Sequence, residues 1–207
     1  QPMTPSLQAT ETIVCLGDPI ELETQQFGGG QVNYFWYLQV DGVDSLIATT
    51  SAPLLTLSDF AAGDYAFRVI IEVNGCPSNP SLLENVEVVA PVIATTTNDA
   101  VIERCAGESF ALGTSLAGPD LSYSWTGPNF SSSVQNPSLF ENVQPMQSGI
   151  YELIVFSKGC PSLPVFTEVI INPLPPRPEL ASNGPVCEGE ELVLFKDVPT
   201  GEIYTWQ

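Results

Sequence analysis

Apolar and polar residues alternate along several short stretches of this chain, which is the pattern of β-strands with one buried face. In the stretch 65–73 every odd-numbered residue is aromatic or β-branched, and Arg68 and Glu72 stand between them. Stretches 20–23 and 121–125 alternate in the same way, and no stretch has the period and caps of a helix. Turn-forming residues separate the alternating stretches at Gly28-Gly29-Gly30, Asp41-Gly42, Asn74-Gly75 and Gly127-Pro128-Asn129. The pattern predicts an all-β fold.

Two landmarks recur three times along the chain. The first is Cys-x-Gly, and the second is an aromatic residue two positions before a tryptophan. The cysteine-to-tryptophan spacings are 21, 20 and 19 residues. The three copies begin at Cys15, Cys105 and Cys187, and their tryptophans are Trp36, Trp125 and Trp206. A fixed order of landmarks at a regular spacing is typical of tandem repeats.

The two complete copies share two more landmarks. Gly63-Asp64-Tyr65 returns as Gly149-Ile150-Tyr151, and Gly75-Cys76-Pro77-Ser78 returns as Gly159-Cys160-Pro161-Ser162. The period is about 80–90 residues, which suits short strands joined by turns in an immunoglobulin-like β-sandwich. The sequence therefore predicts tandem β-sandwich domains.

The landmarks fit known positions of such a sandwich. Trp36 and Trp125 match the buried tryptophan of the third strand, and Tyr65 and Tyr151 match the tyrosine corner whose phenol bonds the backbone. These four residues are predicted core landmarks. The cysteines do not follow antibody domains, because Cys76 comes 11 residues after Tyr65 rather than two.

Composition predicts where one repeat gives way to the next. We expect a first repeat over 1–90, a second over 91–173, and a proline-rich link with the start of a third over 174–207. The segment Pro173–Pro178 holds four prolines and is expected to be extended and semi-rigid. Because the third copy stops at its tryptophan, we expect the chain to be an excerpt from a longer protein.

Five cysteines and no histidine predict disulfides in an oxidising compartment. One pairing closes each repeat on itself, as Cys15–Cys76 and Cys105–Cys160, and leaves Cys187 without a partner. The other pairs Cys15 with Cys160 across two repeats and leaves Cys76 and Cys105 for neighbours outside this pair. Strand length disfavours the first, because about nine strand residues place Cys76 roughly 30 Å from Cys15. The sequence leaves both pairings open.

Charge and composition exclude several classes of function. The formal net charge is −19, so the chain has no basic surface with which to bind nucleic acid. The absence of histidine removes Ser-His-Asp, Cys-His and histidine–metal sites. No apolar run approaches the roughly 18 residues that span a membrane. A pair of carboxylates can hydrolyse glycosides, but here the acids lie on outward positions and in turns, so we expect no enzyme.

Two binding functions remain to be considered. The first is calcium binding, for which Asp41-Gly42-Val43-Asp44 and Asn98-Asp99 are the best local candidates. Neither segment has the ligand density of an EF-hand loop. No cofactor is otherwise predicted. Aromatic residues outside the landmarks could stack on a polysaccharide; they are Phe27, Phe35, Tyr37, Phe130, Phe140 and Phe156.

The landmarks resemble a known group of repeats. Cys-x-Gly, aromatic-x-Trp, Gly-x-Tyr and Gly-Cys-x-Ser, followed by a Val-x-Val strand and a proline-rich link, are similar to tandem immunoglobulin-like and PKD-like repeats of Bacteroidota surface proteins. The nearest resemblance is to large gliding and attachment adhesins exported by the type nine secretion system. It implies a protein that is secreted or anchored to the outer membrane, and it supplies no catalytic residue. In this group Asp44-Ser45-Leu46 fits an O-glycosylation pattern at Ser45.

The sequence thus favours a spacer function, in which rigid acidic sandwiches hold a distal binding region for attachment or gliding away from the cell. The expected partners are neighbouring repeats, the secretion and anchoring machinery, and extracellular polysaccharide or substratum. In a first alternative the repeats themselves bind glycan. In a second, the repeats are accessory domains of a secreted polysaccharide hydrolase.

Overall fold

The computed structural model describes residues 1–177 and 181–195, and almost every element in it is a β-strand. The one helical element among these residues is a three-residue 3-10 turn, Pro145–Gln147, so no described helix has the length or apolarity to cross a membrane. The landmark Tyr204-Thr205-Trp206 of the third copy lies outside the described residues. The prediction of an all-β fold built from tandem immunoglobulin-like sandwiches is confirmed by the two sets of strands below.

The first domain contains nine strands. They are β1 (Leu7–Ala9), β2 (Ile13–Cys15), β3 (Ile20–Thr24), β4 (Val32–Val40), β5 (Val43–Thr50), β6 (Leu54–Leu57), β7 (Gly63–Val73), β8 (Cys76–Pro77) and β9 (Glu84–Val89). One sheet has the order β1-β3-β6, and the other has the order β2-β9-β7-β4-β5, with β8 paired to the end of β7. The strand β2 runs parallel to β9, whereas the other pairs are antiparallel.

The core of the first domain lies between these two sheets. Ile20 and Leu22 of β3 pack against Trp36 of β4 and against Phe67 and Val69 of β7, and all five side chains are fully buried. The alternation that predicted the strands is therefore an alternation between this core and solvent. The prediction of a strand over 65–73 falls within β7.

The second domain repeats the larger sheet. Its strands are β10 (Val101–Cys105), β11 (Leu121–Gly127), β12 (Phe130–Ser132), β13 (Gly149–Ser157), β14 (Cys160–Pro161) and β15 (Val165–Asn172). The order is β10-β15-β13-β11-β12, with β14 paired to β13 and β10 parallel to β15. The facing layer is irregular and holds one isolated antiparallel bridge, between Phe110 and Phe140.

Side chains replace strand pairing in this irregular layer. Asn98 donates through its Nδ2 to the Ala111 carbonyl at 2.6 Å and accepts from the Gly113 amide at 3.0 Å. Asn136 accepts from the Thr114 amide at 3.0 Å. The backbone groups that a strand would pair are thus satisfied by amide side chains.

The described part of the third copy is small. β16 (Ala181–Ser182) pairs antiparallel with β17 (Leu194–Phe195) and with no other described strand. Cys187 lies between them in a turn in which the Glu190 amide donates to the Cys187 carbonyl at 3.0 Å.

Candidate functional site: the junction of the two domains

The strand order brings Cys15 to the end of the first domain where the chain leaves it. Because β2 runs parallel to β9, Cys15 lies opposite Val89, the last residue of β9. The Leu16 amide donates to the Val89 carbonyl at 2.9 Å and fixes the turn that follows. The first cysteine of the repeat therefore stands at the exit of its domain.

Cys160 lies at the end of the second domain that is opposite to the point where the chain leaves that domain. It follows a two-residue turn after β13 and pairs with Ser157, while the start of β13 lies beside the later part of β15. Lys158 in this turn has a left-handed backbone, with φ of 48°, as the tight turn of a hairpin requires. The second cysteine of the repeat therefore stands at the end remote from its domain's exit.

A disulfide joins Cys15 to Cys160, with Cα atoms 5.3 Å apart. It bridges the exit of the first domain and the near end of the second, and Cys160 is 1% exposed. Of the two predicted pairings, the one between domains is confirmed, and Cys15–Cys76 with Cys105–Cys160 is wrong. The reason is geometric: the 11 residues of β7 separate the two ends of the first domain, a distance of roughly 30 Å, whereas a disulfide needs Cα atoms within about 7 Å.

An ion pair lies beside the disulfide. Lys158 Nζ donates to both carboxylate oxygens of Glu87 on β9, at 2.6 and 2.7 Å. The hydrogen bond to Glu87 raises the pKa of Lys158 above its ordinary 10.5, and the nearby Asp64 and Asp120 carboxylates add to the rise. Both side chains are about one third exposed, so solvent screens the attraction. Sequence analysis missed this pair; the one signal is that Lys158 replaces Asn74 in the equivalent turn.

The other three predicted cysteines are not bonded within the described residues. Cys76, Cys105 and Cys187 are exposed thiols. Cys76 lies at the end of the first domain remote from the junction, and Cys105 lies at the exit of the second domain.

The four core landmarks occupy corresponding places in the two domains. Trp36 and Trp125 are 0% and 1% exposed. Tyr151 is buried and Tyr65 half-buried, and each phenol donates to a backbone carbonyl four residues earlier, at Gln147 (3.0 Å) and Ala61 (2.9 Å). Burial also raises the pKa of Tyr151.

The weak calcium expectation finds little in the geometry. Asp44 forms a salt bridge with Arg68 at 3.1 Å. The Asn98 side chain is occupied by its hydrogen bonds to the backbone of Ala111 and Gly113 in the irregular layer. Among residues 1–177 and 181–195, no three histidine, cysteine or acidic side chains come together in a way that could hold a metal ion. Ser45 is exposed on β5, beside Asp44.

The aromatic residues considered for glycan stacking divide into two groups. Phe27, Phe130 and Phe140 are half-buried and pack against the hydrophobic cores, so their rings do not stand free on the surface. Phe35, Tyr37 and Phe156 are half-buried on the sheets. Sequence analysis did not single out Phe166, which is 52% exposed on β15.

No protein-family model and no curated protein matches this chain. Among solved structures, the fibronectin(III)-like modules of Clostridium thermocellum CbhA are similar at 13% identity and a TM-score of 0.49, over 81% of this chain and 94% of that one. A fragment of the ICAM-5 ectodomain, D1–D4, has 13% identity and a TM-score of 0.46, over 93% of this chain and 59% of that one. The chicken CNTN1 FN1–FN3 domains have 10% identity and a TM-score of 0.45, over 82% and 69%. At these scores the fold assignment rests on the strand pairing described above.

Proposed function

We propose that this chain is a spacer segment of a bacterial cell-surface protein, in which consecutive β-sandwich domains hold a distal binding region away from the cell. The observation that carries the proposal is the Cys15–Cys160 disulfide, which joins two domains at their facing ends. A spacer needs a fixed angle between its domains, and a covalent bond beside the connecting chain removes freedom of the junction that a single flexible connection would allow.

Charge supports the same function. The net charge of −19 keeps an exposed array soluble and makes its domains repel one another. Repulsion between consecutive acidic domains favours an extended arrangement. β-Sandwich domains are common in extracellular proteins, and a structural disulfide fits an oxidising compartment outside the cytosol.

The biological setting is the part of the proposal that rests on resemblance. The repeated landmarks are similar to those of Bacteroidota adhesins exported by the type nine secretion system, in which the spacer would serve attachment or gliding and the protein would be anchored in the outer membrane. The resemblance also fits accessory domains of a secreted polysaccharide hydrolase. The flanking sequence separates the two settings, because further repeats favour an adhesin and a catalytic domain favours a hydrolase.

The first test is the shape of the oxidised chain in solution. Ensemble fits to small-angle X-ray scattering of the wild-type chain should give one narrow distribution of the radius of gyration. The double variant Cys15→Ser/Cys160→Ser should retain its circular dichroism spectrum and give a broader distribution. A matched control, Cys76→Ser/Cys105→Ser, removes two exposed thiols and should match the wild type. A wild-type distribution as broad as that of the junction variant would contradict the spacer proposal.

The second test is binding. The folded, oxidised chain should show no saturable binding to a panel of polysaccharides and glycans, with or without calcium. Saturable binding that is lost in Phe35→Ala/Tyr37→Ala, but kept in Phe156→Ala, would replace the spacer function by a glycan-binding function of the first domain.

A further inference from the structure

The turn that carries Cys76 is built like the turn that carries Cys160. Cys76 pairs with Val73 as Cys160 pairs with Ser157, and Asn74 and Lys158 have the same φ of 48°. The serine two residues later bonds the strand in both turns: Ser78 Oγ accepts from the Ile71 amide, and Ser162 Oγ accepts from the Val155 amide, each at 3.0 Å. Backbone and side-chain bonds thus place the two thiols alike.

The same holds for Cys105 and Cys15. Each ends a short strand that runs parallel to the last strand of its domain, so Cys105 lies opposite Asn172 as Cys15 lies opposite Val89. The Ala106 amide donates to the Asn172 carbonyl at 2.8 Å, as the Leu16 amide does to the Val89 carbonyl at 2.9 Å. Two members of this set of four cysteines are bonded to each other, and the other two are exposed.

Cys76 and Cys105 cannot form a disulfide with each other within one chain. Cys76 lies at the end of the first domain away from the junction, and Cys105 lies at the exit of the second domain. They therefore occupy the two outer ends of the pair of domains, where a further domain on either side would present the complementary cysteine.

We propose that Cys105 and Cys76 are junction cysteines for neighbouring domains of the same type. Cys105 forms a disulfide with the Gly-Cys-Pro cysteine of the domain that follows, and Cys76 forms one with the Cys-x-Gly cysteine of the domain that precedes. The inference rests on the array in the proposed function, but it does not depend on adhesion.

The surface beside Cys76 has a shape that suits such a neighbour. An open concavity of about 470 Å³ adjoins the thiol and is lined in part by Met3, Phe27 and Val73. The corresponding end of the second domain carries Cys160, which the first domain covers. A preceding domain placed as the first domain is placed on the second would face this concavity.

The bond forms by oxidation of two thiols. The two cysteines lose two protons and two electrons and become one disulfide, while the disulfide of a thiol oxidoreductase outside the cytosol is reduced to two thiols. One thiol first forms a mixed disulfide with the oxidoreductase, and the second thiol then displaces the oxidoreductase. Both steps need accessible thiols, and Cys76 and Cys105 are exposed.

The test adds the missing neighbour to the full chain. A second copy of residues 91–173 is inserted after Pro173; because Asn172 stands opposite Cys105 as Val89 stands opposite Cys15, Pro173 takes the place of Ala90 in the native connection. In the inserted copy, Cys105→Ser removes the additional exit thiol, and Leu163→Val, at a position 84% exposed, marks the peptide of the copy's Cys160.

Cleavage after glutamate separates all the cysteines onto different peptides, so non-reducing mass spectrometry identifies each bond. We expect Cys105 to be joined to the marked Cys160 peptide in most molecules, and Cys15 to remain joined to the original Cys160. Cys105 found as a free thiol, or joined to Cys76 or Cys187, in molecules with an intact Cys15–Cys160 bond would overturn the proposal. In the control insertion with Cys160→Ser in the copy, Cys105 should become free.

A second measurement does not depend on the insertion. The unmodified chain, oxidised at high concentration in a thiol–disulfide buffer, should form head-to-tail dimers joined through Cys105 of one copy and Cys76 of another. A predominance of Cys105–Cys105 or Cys76–Cys76 bonds would overturn the proposal. Failure of these bonds with unchanged scattering of the wild-type chain would refute only the covalent continuation, whereas saturable glycan binding would refute the spacer function.

Discussion

The two domains share a six-stranded sheet but differ in the layer that covers it. In the first domain that layer is a regular sheet, β1-β3-β6. In the second it is an irregular segment with one bridge and a group of packed aromatic rings. The ring centroids of Phe110 and Phe140 lie 4.4 Å apart and the rings are nearly parallel. Both rings form edge-to-face contacts with Tyr151.

The difference shows which parts of the repeat the sequence landmarks define. The buried tryptophan, the tyrosine corner and both cysteines belong to the six-stranded sheet or its adjoining turns. The covering layer has no landmark, and its composition differs between the copies. A constant sheet with a variable cover keeps the ends of the domain, and hence the junctions, in the same place.

The largest expected effect compares the two tryptophans. Trp36→Ala and Trp125→Ala should each lower the free energy of unfolding by about 3–5 kcal/mol, because each leaves a cavity in a core. Trp125 should be the costlier, because its Nε1 bond to the Gln135 carbonyl at 3.3 Å holds a layer that has one isolated strand bridge, whereas Trp36, bonded to the Thr50 hydroxyl at 2.9 Å, is covered by a regular sheet. Urea unfolding measures both losses of free energy, in a background in which Trp206→Phe removes the third tryptophan. A larger loss of unfolding free energy for Trp36→Ala than for Trp125→Ala would contradict this order.

The next effect concerns the glycine before each corner tyrosine. Gly63 and Gly149 have φ of 153° and 148°, a region that costs other residues about 1–3 kcal/mol. An alanine Cβ at 149 would also lie 2.6 Å from Cγ of Pro128, while at 63 the nearest atom is the Tyr65 oxygen at 4.0 Å. Gly149→Ala should therefore lower the thermal midpoint more than Gly63→Ala. Equal midpoints would show that the Pro128 turn moves aside.

A smaller effect should be stabilising. Thr167 lies opposite Tyr151 as Val86 lies opposite Tyr65, and its buried hydroxyl has no hydrogen-bond partner among the described residues. Thr167→Val should raise the free energy of unfolding by about 1 kcal/mol, because it replaces an unsatisfied hydroxyl with a methyl group. The matched control Thr114→Val should be destabilising, since that hydroxyl accepts from the Leu116 amide at 3.1 Å. A loss of stability in Thr167→Val would contradict the assignment.

The smallest effect lies at the ion pair of the junction. The raised pKa of Lys158 means that its interaction with Glu87 contributes stability below the ordinary pKa of 10.5 and loses it as the pH rises through the higher folded value. The difference in unfolding free energy between the wild type and Lys158→Gln should therefore disappear in strong alkali, and it should shrink with added salt. A difference that persists at high pH would assign the effect to the turn rather than to charge.

Alternation and the repeated landmarks were enough to predict the sandwich class and strands that fall within β3, β7 and β11, because each of these strands has one face toward a core. They could not predict that Phe130 and Phe140 pack inward, since these rings belong to a layer without periodicity. Nor could they choose a disulfide pairing with certainty, because the argument needed the length of β7. The Glu87–Lys158 pair depends on how two domains meet, which no pattern within one repeat records.

The junction disulfide also determines how the chain responds when its two ends are pulled apart. Residues 16 to 159 lie inside the loop that Cys15 and Cys160 close, so tension passes from Cys15 to Cys160 through the sulfur atoms. Roughly 500 Å of chain, at about 3.5 Å per residue, is thereby withheld from extension. Strands β3 to β13 could lose their structure without lengthening that segment. A chain loaded through such a bond would keep its end-to-end length even after its hydrophobic cores had unfolded.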